Sequence, residues 1–600
     1  MDIPKGLVSS IVSISIRTRG ATTSRRSPSA QRGYNRNMDK RRFIKDPVWG
    51  NVEIFEWEKE ILNHYLLNRL HNVVQNSCAF RVYPGLKYSR FSHSVGVMHA
   101  ATQMFVNVVI NSGPHAREQL RQEQEHALGA FRATGDIGGK QIAATVSRVV
   151  PCSTEWSLLL AVVRVAALVH DIGHLPYSHV FESALESFLN FGIPGKTSNT
   201  SEDRLAALRR LLRGGEAPST QVTNPPQSQK VHEVLGESFV SVLADDLAVS
   251  YVHGESVALS VSQAAALARA ANTVLHDALM PITRSLISGI LDADRIDFVR
   301  RDTLFSGLLT SSVDYGRLFS TYELIEREDS AVGMVRYLPG PSKRSSSEGE
   351  KLLFERFQDY KYITAHHKVH LFDELLERLI YHSMEDGTLD PFFKSLEALL
   401  TLLSPAQLQI ISRDLKLAKL KRQLLTEFDD AWLDQMMRLG YSKQWDDDGD
   451  SLLFVPHVEA RGLFTSLFKR DEEYAAFCQK HNLQLDPAHI LPRVRALKYQ
   501  WEKDIIQSWR SEGGTEHFML VIGDLDEKLR DGFGQDKEAA KLLGLRELQR
   551  FLEMKIRTTT PLNAWYTHAG KTTMTGKTID TREWVEAQLA STLKSTTIPQ

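Results

Sequence analysis

Cysteine is scarce: Cys78, Cys152 and Cys478 are the only three in 600 residues. None forms a CxxC pair, which excludes a disulfide framework and a thiolate metal site of ordinary spacing. A reducing, cytoplasmic compartment is the simplest expectation. Net charge is also lacking, because 72 Lys+Arg against 73 Asp+Glu leave −1. No global field therefore draws the chain to nucleic acid or to a membrane surface, although a local basic pocket is compatible with that balance. Long apolar runs are missing too. The most apolar stretch, residues 157–169, is interrupted by Arg164, and a bilayer span needs about 20 residues. What is present, 42% hydrophobic and 24% charged residues, is the composition of an ordinary globular protein.

Punctuation by glycine, proline and polar residues divides the chain. Residues 1–43 read as a disordered extension or an upstream start, since Met38 precedes DKRRFIKDPVWG. The alternative is a targeting peptide, because GLVSSIVSISI is followed by an Arg- and Ser-rich segment. From about residue 52, Ile54, Trp57, Ile61, Leu66 and Leu70 recur at helical spacing. A loop is expected over 75–90, a helix from Ser92 to about Ser112, a polar insertion over 113–155 and a helix over 156–171. Gly173 and Pro176 then oppose helix continuation. Residues 213–230, with GG, PS and NPP, read as a loop, 283–302 as one helix, and PGPSKRSSSEGE (339–350) as an exposed loop. Residues 371–555 are mostly of helical period and 556–600 read as a peripheral tail. WDDDGD (445–450) lacks EF-hand spacing and reads as a solvated acidic turn. The fold class expected is all-α with at most small strands.

The residues that carry chemistry are scattered: His93 in RFSHS, His170 and Asp171 in HDIGHLPYSH, and Asp294 in LDADRIDFVRRD. Two imidazoles and two carboxylates suit a divalent transition metal and would fill four positions of a six-coordinate shell. Such an ion acidifies water and neutralises phosphate charge, which points to phosphate-ester hydrolysis. Taken singly, His170 could equally be a capping or core histidine and Asp294 part of a surface ion-pair ladder. His174, His179 and His232 have the chemistry for proton transfer and phosphate binding, with Glu233 or Glu182 to orient an imidazole. Arg90, Arg295 and Arg356 can clamp phosphates bidentately. A solvated helix-face arginine is the usual alternative.

The order YPG, RFSHS, HDIGHLPYSH, VHEVLGESF and SGILDADRIDFVRRDTLFSG resembles the HD-domain superfamily. Within it, the similarity is to the deoxynucleoside triphosphate triphosphohydrolases, which include bacterial dGTPases and the vertebrate SAM- and HD-domain enzyme. It covers about residues 44–370, with gaps. The resemblance implies a helical HD core over 44–370 with a helical C-terminal extension. It implies a metal (Mn, Fe or Mg) on His93, His170, Asp171 and Asp294. His174 and His232 would line the α-phosphate, and His179 would lie nearest the leaving 5′ oxygen. Arg90, Arg295 and Arg356, with His366, would bind the triphosphate, although the local match also allows His367-Lys368. Gln75 and Asp302 resemble the readers of the sugar 3′-hydroxyl.

The chain departs from the family at Asn76, where Leu is usual, at Thr364 or Ala365, where a Tyr packs under the sugar, and at Phe298, where a Tyr touches phosphate. The activity implied is hydrolysis of deoxynucleoside triphosphates to deoxynucleoside and inorganic triphosphate. The alternatives are a nucleoside monophosphate or cyclic-nucleotide phosphohydrolase and a nucleotide- or nucleic-acid-binding regulatory module. The expected partners are a nucleoside triphosphate substrate, other copies of the chain in a homo-oligomer and an activating nucleotide, with no membrane.

Overall fold

The computed structural model describes residues 41–132, 139–191, 231–252, 259–289, 291–308, 311–329, 334–385, 387–390, 428–444, 464–468, 471–483, 500–502, 504–512, 518–522, 562–567, 571–574 and 577–596. The expected 213–230 loop, the acidic turn 445–450 and the extension up to residue 40 lie outside them.

The fold is helical with small antiparallel sheets, as the composition of the segments implied. The hairpin β1 (Arg42–Asp46) and β2 (Gly50–Ile54) opens the core. Ile54 therefore lies in a strand, and helix α1 (Glu56–Leu62) starts only after it. The short helix α2 (Tyr65–Asn68) follows. The central helices are α3 (Arg90–Asn111) and α6 (Thr154–Val169), which pack against each other. Ser89 caps α3, its hydroxyl accepting the Ser92 amide, and so places His93 in the first turn. Helix α6 is buried on all sides, with Leu159, Leu160, Val162, Val163, Val165, Leu168 and Val169 fully enclosed. Each such side chain contributes about 1.5–3 kcal/mol of transfer free energy. Arg164, inside this apolar helix, is not solvated. It holds both carboxylate oxygens of Glu58 at 2.6 and 2.8 Å and donates to Thr102 at 2.8 Å, the satisfaction that a buried charge requires.

The polar segment 113–155 is helical where described. Helix α4 (Pro114–Arg132) buries Ala116, Leu120, Ala127 and Phe131, and α5 (Gly139–Val149) packs on α6. Helices α7 (His179–Phe191), α8 (Val231–Val252) and α9 (Leu259–His276) complete that side. The single helix expected over 283–302 is broken into α10 (Pro281–Ile287) and α11 (Ala293–Ser306). Asp292 makes the break: its carboxylate accepts the Gly289 and Arg295 amides at 2.7 Å each and caps α11. After the short α12 (Tyr315–Ser320) comes the hairpin β3 (Tyr322–Asp329) and β4 (Met334–Pro341). The expected loop 339–350 instead starts helix α13 (Ser346–Asp359), with Ser345 and Glu348 buried. Glu348 accepts the Asp314 amide at 2.8 Å, which pins the segment down. A π-turn over Tyr360–Thr364 leads into α14 (His367–Glu385).

Helix α15 (Asp430–Gln444) returns to the core. The strands β5 (Phe464–Ser466), β6 (Phe518–Ile522) and β7 (Leu562–Thr567) form a sheet in the order β5-β7-β6. With α16 (Asp471–Lys480) and α17 (Thr581–Thr596) they enclose a second, smaller core around Phe468, Tyr474, Leu520, Ala564, Tyr566 and Leu589. Residues 562–596, expected as a peripheral tail, thus supply its central strand and a buried helix face. Among the described residues no single helix is long and apolar enough to cross a membrane.

Candidate metal centre and histidine cluster

Three segments far apart in sequence meet where α3, the C-terminal end of α6 and the N-terminus of α11 converge. His93 presents Nε2 at 2.9 Å from Asp294 Oδ1, and His170 presents Nε2 at 3.9 Å from the same oxygen. Asp171 lies beside them, 3.4 Å from His170 Nε2 and 3.7 Å from His93 Nε2. Each imidazole is oriented through its other nitrogen. His170 Nδ1 donates to the Ala167 carbonyl at 2.8 Å, and His93 Nδ1 meets Asp297 Oδ2 at 2.8 Å. That leaves His93 Nε2 and His170 Nε2 buried without a hydrogen-bond partner among the described residues. The 2.9 Å contact to Asp294 is a juxtaposition outside hydrogen-bond geometry. His93, His170 and Asp294 offer ligand atoms within 4.8 Å of one another, and the outer hydrogen bonds are those that usually orient metal-bound histidines. The donor set fits a divalent ion.

Asp297, three residues after Asp294 on α11, is the hub of a buried network. It accepts from Trp49 Nε1 at 2.6 Å and from Arg301 Nε and Nη2 at 2.9 Å each. Arg301 in turn donates to Asp46 at 3.0 Å. The network is possible because residue 96 is glycine: a Cβ there would stand 1.9 Å from Asp297 Oδ1. Burial disfavours a charged His93, but the Asp294 and Asp297 carboxylates outweigh it and raise the imidazole to about 10. Burial likewise opposes charge on Asp294, and His170 and His93 hold its carboxyl well below the usual range.

Next to this centre is a second cluster. Glu182, buried on α7, lies 2.9 Å from His232 Nδ1, 3.2 Å from His174 Nδ1 and 3.5 Å from His179 Nδ1. Of these only the His232 contact has hydrogen-bond geometry. The His174 and His232 rings stack at 4.0 Å. Burial would raise the Glu182 carboxyl, but the three histidines hold it well below the usual carboxylate range. Burial, then Arg90 and His232, push His174 down, so its ring favours the neutral form. His179 is half exposed (51%), which leaves its ring open to a bound molecule. Glu233, the alternative expected beside Glu182, is exposed on α8. Sequence order could not decide between the two carboxylates, since only the packing of the fold sets which one faces the rings. Gly173, in the turn after α6, lets that turn approach α8 closely, because a Cβ on it would meet the His232 carbonyl oxygen at 2.0 Å.

The arginines differ from expectation. Arg90 is buried and committed within the protein. It forms an ion pair with Asp171, donates Nε to Ser178 Oγ at 2.7 Å and Nη2 to the Gln75 carbonyl at 3.4 Å. It holds Asp171 rather than pointing outward. Arg295 donates to the Gly289 carbonyl and pairs with Asp292 at 3.8 Å. Arg356 is buried with its guanidinium 5.4 Å above the Tyr360 ring. His366 accepts the Lys368 amide at 3.2 Å and lies edge-on to Tyr83.

At the expected sugar end, Gln75 pairs through its backbone amide with the Tyr88 carbonyl at 3.2 Å. Its side-chain Oε1 is buried without a hydrogen-bond partner among the described residues. Asp302 accepts from Asn76 and from the Tyr88 hydroxyl at 2.7 Å each, and burial raises its carboxyl to about 6. Asn76 thus has a partner that the sequence did not reveal. Thr364 is exposed, Ala365 is buried, and Phe298 packs on the main core.

No family model matches the chain. An uncharacterised protein of Mycoplasma pneumoniae, named as a homologue of MG461, is 24% identical over 287 residues, 47% of this chain and 48% of that protein. The uncharacterised protein MJ1154 of Methanocaldococcus jannaschii is 22% identical over 347 residues, 58% and 51%. The chain spans about half the length of these curated relatives. The human deoxynucleoside triphosphate triphosphohydrolase SAMHD1 is 28% identical over 152 residues, 25% of this chain and 18% of that protein. The chain resembles the HD-domain phosphohydrolases. A solved structure of a phosphohydrolase from Bacteroides thetaiotaomicron superposes with a TM-score of 0.43 at 15% identity, covering 80% of this chain and 89% of that one.

Proposed function

We propose that the chain is a divalent-metal-dependent phosphohydrolase that cleaves deoxynucleoside triphosphates to deoxynucleoside and inorganic triphosphate. The observation that carries the reading is the adjacency of two oriented sets: His93, His170, Asp171 and Asp294 on one side, and His174, His179 and His232 around Glu182 on the other. A metal held by the first set would neutralise phosphate charge and acidify water there. Glu182 fixes the tautomer of His232 by accepting its Nδ1 proton, so that the opposite ring nitrogen faces away from the carboxylate. His174 and His232 would then bind α-phosphate oxygens, and the half-exposed His179 would protonate the leaving 5′ oxygen. Gln75 and Asp302 would read the 3′-hydroxyl. A dideoxy substrate would leave the buried Gln75 amide oxygen unpaired, at about 1–3 kcal/mol, while Asp302 would keep its Asn76 and Tyr88 donors.

One observation favours a second reading, hydrolysis of a nucleoside monophosphate or cyclic nucleotide at the same centre. Arg90 and Arg295, expected among the residues that bind the triphosphate, are engaged by Asp171, Ser178, Asp292 and Gly289. Product analysis decides between the two. The chain loaded with Mn²⁺ is incubated with each dNTP, the matching ddNTP and a nucleoside monophosphate, and the products are followed by phosphorus NMR. Inorganic triphosphate from dNTP, with ddNTP slow, supports the first reading. Orthophosphate with a nucleoside diphosphate as the first product overturns it.

A further inference from the structure

The turn between His174 and His179 is strained. Tyr177 and Ser178 adopt φ of +51° and +54°, values that side chains other than glycine occupy at a cost of about 1–3 kcal/mol each. Such a turn persists only where its surroundings hold it. Ser178 is held from one side by Arg90 and by donation to the Val74 carbonyl at 3.0 Å.

The other hold comes from a distant part of the sequence, outside the motifs that carry the family resemblance. Asp430, at the start of α15, is buried and accepts two backbone amides: Tyr177 through Oδ1 at 2.7 Å and Val74 through Oδ2 at 2.9 Å. Its neighbours reinforce it. The Tyr177 hydroxyl donates to Asp434 at 2.8 Å, Asn72 donates to Asp429 at 3.0 Å, and Arg69 donates to the Phe428 carbonyl at 2.9 Å and to the Ile172 carbonyl. Phe428 and Leu433 anchor the segment in the main core.

We infer that Asp430 is a positioning residue: its carboxylate clamps the Tyr177 turn to the Val74 backbone and so sets His174, His179 and the Gln75–Arg90 face in register. This rests on the phosphohydrolase reading for its consequence in catalysis, but not for the clamp itself. A carboxylate suits the position because it accepts both amides at once. An asparagine offers one oxygen and turns an NH₂ toward the second N–H, so D430N removes one arm at nearly constant volume.

The test uses the full, Mn²⁺-loaded chain as wild type, D430N and Y177F. In D430N, hydrogen exchange is expected to rise several-fold in peptides covering 73–75 and 172–180 and to stay unchanged in a peptide covering 95–109. Bound metal per chain stays at the wild-type level. With dNTP as substrate, kcat falls by about tenfold or more, with KM moving less, as expected for misplaced proton-transfer groups. Y177F, which loses only the hydroxyl contact to Asp434, shows the same pattern at smaller size. Wild-type exchange at both peptides, or exchange raised throughout with a lowered melting temperature, overturns the clamp. Localised exchange with wild-type kcat overturns its catalytic consequence. If the wild type hydrolyses no nucleotide, the phosphohydrolase reading fails while the exchange arm still decides the clamp.

Discussion

Replacing Asp297 with alanine tests whether the outer network holds the metal centre. Asp297 is fully buried and receives four donors: His93 Nδ1, Trp49 Nε1 and two nitrogens of Arg301. Its removal leaves the fully buried Arg301 with Asp46 as the remaining anion at 3.0 Å. Breaking a buried ion pair costs about 3–5 kcal/mol, and the surviving Asp46 contact puts D297A near the lower end of that range. His93 also loses the acceptor that aims its Nε2. Loss of such an outer partner lowers metal affinity by about 10–100-fold, which is about 1.4–2.8 kcal/mol. Two measurements separate the effects: a guanidinium titration followed by circular dichroism, and a calorimetric Mn²⁺ titration of the folded variant. D297N retains the volume and one acceptor, so it should fall between wild type and D297A in both. A D297A variant with wild-type midpoint and wild-type metal affinity would refute the reasoning, because neither Arg301 nor His93 would then depend on Asp297.

Asp171→Asn is expected to lose bound metal, read by plasma mass spectrometry, and nearly all hydrolysis, while its circular dichroism stays helical. Full metal occupancy would remove Asp171 from the ligand set. Mn²⁺ should raise the melting temperature of the wild type but not of Asp171→Asn, since an ion bound only to the folded state stabilises it by mass action. Glu123 tests a pH effect away from the centre. It accepts the Ile282 and Thr283 amides at 2.6 and 2.8 Å, and burial raises its carboxyl from 4.5 to about 7. The folded state therefore holds this proton more tightly. Its contribution is full below pH 4.5 and is lost as the pH rises through about 7. Glu123→Gln cannot ionise, so its melting temperature should gain on wild type across that window. A constant gap would refute the shift. The proposed homo-oligomer and activating nucleotide predict a mass in light scattering above 67.8 kDa that grows with added nucleotide. A monomer at full activity would dismiss both.

Several features were legible because local chemistry dictates them. A helix opening near Ser92 is expected to carry His93 in its first turn, and it begins two residues earlier, at Arg90, behind the Ser89 cap. The apolar run ending in HDIGH makes a buried helix that must stop at Gly173 and Pro176. Three cysteines and a balanced charge set the class. Period and capping act over a few residues, so the sequence shows them directly, and the joint appearance of His93, His170, Asp171 and Asp294 marked the candidate metal set that the fold brings together.

What the tertiary structure alone decided are relations between segments. Local periodicity did not reveal that Asp292 breaks 283–302 into two helices, because the break depends on a carboxylate folding back onto its own N-terminus. Glu182 rather than Glu233 faces the histidines, a choice made by the fold, in which the Gly173 turn packs closely on α8. Arg90 serves Asp171 and Ser178, and Asn76 serves Asp302, since burial obliges each polar group to find a partner across the fold. Asp430 reaches the Tyr177 turn from more than 250 positions away. Sequence carries the types of the groups that a site needs. Which of them meet is set by the packing of helices whose facing sides no single segment encodes.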